Sequence, residues 1–185
     1  RSWSDAAGEK ADNGHTPLHY VCNNIDNPQL EIVSTLLDSC PNAAGEKTGR
    51  GHTPLHYACY GKASFEIVSL LLKSFPGAVK EKTEGGYAPL HVACESKAPF
   101  EIVSLVLNSW PDASREKTGW GHIPLHLVCR CQSQFETVCT LLNSWPDAVR
   151  EKDNHGHTPL HLACESKAPI EMVSLLLNSW PDAVR

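Results

Sequence analysis

One hexapeptide constrains this chain more than any other feature. GHTPLH begins at Gly14 and returns as GHTPLH at Gly51, GYAPLH at Gly86, GHIPLH at Gly121 and GHTPLH at Gly156. The spacing between these glycines is 37 residues once and 35 residues three times. Self-similarity at such a period marks an array of supersecondary units, each too small to bury its own apolar face and each stacked on the next. The two additional residues of the first interval fall between Cys22 and Glu31, so NNIDNPQL is an enlarged loop.

Within each unit the pattern predicts helix, short turn, helix and long loop. Thr16-Pro17, Thr53-Pro54 and Thr158-Pro159 set a good N-cap before a proline at the first helical position, where its missing N–H is harmless. In the first helix of the second unit, Leu55, Ala58 and Cys59 share one face at i, i+3 and i+4. The second helix opens at segments such as Pro99 to Leu107, with Pro99 and Pro169 suited to the first turn. Glu101 and Glu171 fall near its N-terminus, where the helix dipole favours a carboxylate. Pro111, Pro146 and Pro181 are expected to end it. REKTGWG and EKDNHG read as glycine-containing turns between units.

Composition narrows the partners. The chain has 185 residues, 41% hydrophobic and 20% charged, an ordinary balance for a folded domain. Its net charge of −5 offers no basic face to a phosphate backbone or an anionic lipid surface. No apolar run approaches the roughly 20 residues of a membrane span, and the start shows no signal-peptide pattern. Eight cysteines without an Asn-x-Ser/Thr sequon point to a reducing interior, cytoplasmic or nuclear.

The Thr-Pro-Leu-His motifs at 16–19, 53–56 and 158–161, their variants at 88–91 and 123–126, and EIVSLLL at 66–72 resemble the ankyrin repeat family across nearly the whole chain. The resemblance implies an all-α solenoid of stacked helix-turn-helix units joined by hairpin-like loops. It gives one domain, 1–185, divided into a preceding tail at 1–13, units at 14–50, 51–85, 86–120 and 121–155, and a truncated unit at 156–185. The 35-residue period exceeds the usual unit of about 33. SKAP stands where the interhelix glycine is usual, and SWPDA or SFPGA where a glycine-alanine pair follows the second helix.

Five histidines at fixed spacing look at first like metal ligands or bases. In stacked units His19, His56, His91, His126 and His161 lie about 10 Å apart, too far to share one zinc. The resemblance gives each a structural bond to the threonine at the start of its own helix, Thr16, Thr53 or Thr158, and to the adjoining loop backbone. Ala88 and Ile123 replace that threonine in two units, which leaves His91 and His126 without a hydroxyl partner. Cys22, Cys59, Cys94, Cys129 and Cys164 share one position and read as small buried hydrophobes. Cys129, Cys131 and Cys139 form a denser set, but on a helix i and i+2 point to different sides. Trp110, Trp145, Trp180, Phe75 and Trp3 read as packing at the seam between units, and Glu81-Lys82 and Glu116-Lys117 as a solvated face. No GxGxxG, GxxxxGK[ST], HExxH or GxSxG motif is present, so the expectation is a non-enzymatic protein with no cofactor and no metal.

Departures from repetition at exposed positions are where binding is expected. In ankyrin arrays the loop tips and exposed first-helix positions line a concave, protein-binding surface. The matching tip residues are Asn13, His15, Arg50, His52, Gly85, Tyr87, Trp120, His122, His155 and His157; first-helix ends add Asn24, Tyr60, Glu95, Arg130 and Glu165. Tyr87 and Trp120 are the expected anchors, flanked by Arg50 and His155, because large aromatic and cationic side chains dominate interface energetics. The leading expectation is therefore a scaffold that binds a partner protein. A second is a regulatory or targeting arm whose activity lies elsewhere in a longer chain. A third is a metal-binding array built from His122, His155 and His157. The first residue is Arg1, and both ends resemble incomplete units, which points to a monomeric segment of a longer polypeptide.

Overall fold

The computed structural model describes residues 3–23, 30–61 and 63–180. Most of the enlarged loop, with Asn24, lies outside the described residues, as do the Trp3 side chain and Pro181. A short helix α1 (Trp3–Gly8) precedes five helix pairs: α2 (Pro17–Cys22) with α3 (Leu30–Ser39), α4 (Pro54–Tyr60) with α5 (Phe65–Ser74), α6 (Pro89–Glu95) with α7 (Phe100–Ser109), α8 (Pro124–Cys131) with α9 (Phe135–Ser144), and α10 (Pro159–Glu165) with α11 (Ile170–Ser179). There is no strand among the described residues. First helices pack on neighbouring first helices and second on second, giving a two-layer, all-α solenoid.

The apolar stripe of each helix explains the layers. Leu18, Leu55, Leu90 and Leu125 of the first helices are buried, as are Val33, Ile67, Ile102 and Val138 of the second. Each buried Leu or Ile side chain stabilises the stack by roughly 1.5–3 kcal/mol relative to exposure. Cys22, Cys59, Cys94 and Cys129 lie in the same core, and burial pushes the thiols of Cys22, Cys59 and Cys129 up to about 12 and raises that of Cys94 as well. Cys164 differs from the sequence expectation: it is exposed, because no further first helix packs over α10 within the described residues. Cys131 and Cys139 are only partly buried.

The prolines act differently from the simple stop expected of them. Trp110, ahead of Pro111, is driven to φ −152° and ψ 87°, which ends α7 at Ser109. Pro111 then starts a 3₁₀ turn, Pro111–Arg115, where its fixed φ suits the first position. The same turn forms at Pro41–Gly45, Pro76–Lys80 and Pro146–Arg150. Ser4 occupies the corresponding place in the first segment, and there α1 runs through as an α-helix. Pro99 and Pro169 are likewise N-cap residues, one place earlier than expected, so α7 begins at Phe100 and α11 at Ile170.

The second unit has a glycine in its interhelix turn, Gly61, at an ordinary φ of −74°, and no glycine takes the left-handed position in the turns after α6, α8 and α10. Lys97, Gln132 and Lys167 adopt left-handed φ values of 55°, 54° and 58°, at a cost of about 1–2 kcal/mol each for a side-chain-bearing residue. Phe75, Trp110, Trp145 and Trp180 pack against the core from the second-helix ends, and the guanidinium of Arg115 lies 5.2 Å from the Trp145 ring and that of Arg150 6.0 Å from Trp180. Trp145 and Trp180 thus each seat on the 3₁₀ turn of the preceding unit.

Candidate functional site

The floor beneath the tips is built by the first-helix histidines. His19 Nδ1 accepts the Thr16 amide at 3.0 Å and lies 2.8 Å from the Thr16 hydroxyl. A ring nitrogen that accepts an amide proton leaves the ring's own proton on Nε2, which points to the Glu46 and His52 carbonyls, each at 3.1 Å. His56 repeats the arrangement with Thr53 (3.1 and 2.9 Å) and the Tyr87 carbonyl (3.0 Å). His91 and His126 keep the amide bond, from Ala88 at 3.2 Å and Ile123 at 3.3 Å, and donate to the carbonyls of Glu116 (2.9 Å) and His157 (3.0 Å). Replacing threonine therefore removes one partner, the hydroxyl, and leaves the other. Burial lowers all four imidazoles, His19, His56, His91 and His126, to about 4, so they are neutral near pH 7. His161 bonds Thr158 (3.3 and 2.8 Å) yet is exposed, and its Nε2 has no carbonyl partner among the described residues.

Above this floor each tip is a tight turn. The Thr48 amide donates to the His52 carbonyl at 2.9 Å and the Gly51 amide to the Thr48 carbonyl at 2.9 Å. The turning glycine sits at φ 77° in Gly86, and a Cβ there would lie 2.9 Å from the backbone nitrogen of Gly119 in the next tip, so glycine is required twice over. Neighbouring tips are joined through backbone: Gly49 N–H to Asn13 O (3.1 Å), Glu84 N–H to Arg50 O (3.1 Å), Gly119 N–H to Gly85 O (2.8 Å) and Asn154 N–H to Trp120 O (3.1 Å). Lys10–Glu46, Lys47–Glu81, Lys82–Glu116 and Lys117–Glu151 pair across the same junctions, so these residues link units rather than merely cover a solvated face.

A fourth row was not recognised in the sequence. Thr48, Thr83 and Thr118 accept the amides of His52, Tyr87 and His122 through their hydroxyls, each at 3.2 Å. Asp153 takes this place in the last tip: its Oδ1 accepts the His157 amide at 2.8 Å and the His155 amide at 2.9 Å, while Oδ2 lies 3.3 Å from His122 Nε2 and 3.3 Å from His157 Nδ1. Burial alone raises the Asp153 carboxyl, but these amides and the His157 ring outweigh it and hold the group below the usual carboxylate range. The signal was the recurrence of EKT at 46–48, 81–83 and 116–118, with EKA at 9–11 and EKD at 151–153 as its departures.

The tip residues divide into two places. Asn13, His15, Arg50, His52, Tyr60 and Tyr87 line one groove of about 810 Å³ on the first-helix side of the first three units. Tyr57 and Glu95 complete it, and the Tyr57 hydroxyl lies 2.8 Å from His15 Nε2. Tyr57 was not singled out in the sequence, although it stands where later units carry Val92, Leu127 and Leu162. Trp120 and His155 lie outside this lining and form a separate ridge, with ring centroids 6.4 Å apart and Trp120 59% exposed. The expected quartet of Arg50, Tyr87, Trp120 and His155 is therefore split between groove and ridge. His122 is 8% exposed, so its imidazole supports the tip from below and offers no contact surface. Arg130 is held by Glu95, whose carboxylate lies 2.5 Å away. His157 is half-buried beside Asp153, and Glu165 is exposed. No group of three or more His, Cys, Asp or Glu side chains among the described residues is arranged to hold a metal ion.

Helix pairs stacked at a fixed period, with tips joined edge to edge and a groove across the first-helix layer, define a repeat solenoid. A family model described as ankyrin repeats matches in three overlapping copies, residues 4–84, 25–113 and 90–184, and the chain belongs to the ankyrin repeat family. Ankyrin repeats serve in general as protein–protein interaction modules. A search of curated proteins finds no significant match to the chain. No helix among the described residues is long and apolar enough to cross a membrane.

Proposed function

We propose that the chain is a non-catalytic scaffold that binds a partner protein in the groove formed by its first three units. One observation carries this reading: the groove gathers Tyr57, Tyr60 and Tyr87 with Arg50, residue types that dominate interface energetics, in a concavity of about 810 Å³. Its floor is rigid, since the buried His19 and His56 tie the first helices to the tips above them. Preorganisation of that kind limits the entropy lost on binding. The Trp120–His155 ridge extends the same face and supplies a second, weaker contact. Eight free thiols support a setting in a reducing compartment, the cytoplasm or nucleus, and the protein is proposed to act there as a monomer.

The test is affinity capture from the source cell with three baits: the unaltered chain, a groove variant (Arg50→Ala, Tyr60→Ala, Tyr87→Ala) and a ridge variant (Trp120→Ala, His155→Ala). A protein retained by the first, lost by the second and reduced by the third identifies the partner and its seat. Equal retention by all three, with circular dichroism unchanged, sinks the reading.

A further inference from the structure

A second row of exposed residues runs along the opposite layer. Leu30, Phe65, Phe100, Phe135 and Ile170 are the first residues of α3, α5, α7, α9 and α11, one per unit at a constant interval of 35 residues. Four of them are exposed: Leu30 at 42%, Phe65 at 48%, Phe135 at 44% and Ile170 at 70%. Each is followed by a carboxylate, Glu31, Glu66, Glu101, Glu136 or Glu171, and all five carboxylates are exposed. The helix dipole accounts for an acidic residue at this position. It does not account for a large apolar side chain held in water beside it.

The charge on this row is open. Glu46, Glu81, Glu116 and Glu151 under the tips each have a lysine partner, whereas the five second-helix carboxylates form no ion pair among the described residues. Concavities follow the row. One of about 570 Å³ lies between Leu30, Glu31, Phe65 and Glu66, with Lys73 as the one basic residue in its lining, and one of about 280 Å³ lies between Phe135, Glu171 and Met172.

We propose that this row is a docking surface for an amphipathic helix that carries an apolar residue at every seventh position, flanked by lysine or arginine. The spacing selects the occupant. Neighbouring second helices pack about 10 Å apart, and seven residues of α-helix rise about 10.5 Å. A partner helix laid across the layer therefore meets one apolar residue per unit with its own heptad positions. An extended strand covers the same distance in about three residues, which places successive anchors on opposite faces. Charge excludes the other candidates: an anionic membrane is repelled by the carboxylates, and a second copy of this chain brings its own net charge of −5.

The probe is a labelled helical peptide of about 28 residues with leucine at every seventh position, lysine and arginine beside each leucine and alanine elsewhere. Its control has the same composition with the leucines respaced alternately at five and nine. Fluorescence anisotropy on the intact chain is expected to show the heptad peptide binding about tenfold tighter than the respaced one. Phe65→Ser with Phe135→Ser removes that difference. Glu66→Gln with Glu101→Gln and Glu136→Gln weakens both peptides and flattens their salt dependence. The groove variant of Arg50, Tyr60 and Tyr87 leaves the preference intact, which separates this surface from the proposed partner groove. The altered side chains of the row are exposed, Tyr87 of the groove variant is half-buried, and circular dichroism checks the fold of each variant. Equal binding of the two peptides, absence of binding, or loss of the preference in the groove variant overturns the proposal.

Discussion

The chain carries two rows of histidine four residues apart, and the rows behave in opposite ways. In the first-helix row, His19, His56, His91 and His126 are all buried and all make the same pair of bonds, amide to Nδ1 and Nε2 to carbonyl. In the tip row His15 meets the Tyr57 hydroxyl, His122 and His157 share Asp153, and the third unit has Tyr87 in place of histidine. A repeated residue with repeated partners is scaffold. A repeated residue whose partners change from unit to unit marks the surface on which the units are free to differ.

Acid is the strongest way to break this contrast. The buried row has its pKa lowered from 6.5 to about 4, so the unfolded chain binds more protons than the folded one between those values. Stability is then fully present above pH 6.5 and is lost as pH falls toward 4, at up to about 1.4 kcal/mol per pH unit for each histidine. Four such groups give several kcal/mol between pH 7 and pH 5. Urea midpoints followed by circular dichroism across that range read the loss directly. A flat midpoint removes the distinction between the rows.

A smaller effect compares one substitution in two units. His56→Ala strands the Thr53 amide and the Tyr87 carbonyl in a buried site and costs about 3 kcal/mol. His161→Ala, at an exposed ring without a carbonyl partner among the described residues, costs about 1 kcal/mol or less. Denaturant titration of both variants decides the matter, and equal losses would show that burial does not separate the units.

Restoring a hydroxyl sharpens the comparison within the buried row. Ala88 is fully buried at the N-cap of α6, and Nδ1 of His91 there has one partner where Nδ1 of His56 has two. Ala88→Thr is expected to stabilise the array by about 1 kcal/mol. Thr16 and Thr53 occupy the equivalent place in their own units with no exposure. An unaltered or lowered urea midpoint would count against an energetic role for that hydroxyl.

Legibility followed the same division. The helix pairs could be read because the proline of the Pro-Leu-His motif, the apolar stripe and the period all point one way in all five units, with threonine before the proline in three of them, and the stacked histidine bonds follow from that register. The 3₁₀ turns at Pro111 and its equivalents could not, because a proline reads as a stop whether the chain then leaves or restarts a helix. Burial of His122 was hidden for a different reason. In sequence it occupies the same tip position as His52 and His157, and only the packing of Asp153 from the following tip shows that its ring faces inward. Tyr57 was missed because it lies inside the repeated first-helix motif, between His56 and the core residues Ala58 and Cys59, and not among the tip positions where departures were sought. Exposure of Cys164 depends on what lies over α10, which no local pattern encodes.

Asp153 gives the finest test, since it is the point where the tip row departs most from repetition. Threonine fills its place in the three tips before it and holds a single amide there. Asp153→Thr should therefore keep an acceptor for the His157 amide but give up the His155 amide and the contacts of Oδ2 to His122 and His157. Two of those groups are at the surface and regain water, so the expected loss is about 0.5–1 kcal/mol. The more telling readout is local. Freed of its amide bond, His155 should lose its stacked position on Trp120, and the Trp120 fluorescence should shift toward that of a fully solvated indole while Trp145 and Trp180 remain unchanged. Substituting Trp3, Trp110, Trp145 and Trp180 with phenylalanine isolates the Trp120 signal. An unshifted spectrum would mean that the ridge is set by the backbone bond between Asn154 and Trp120 alone, and that Asp153 serves only the buried side of the tip.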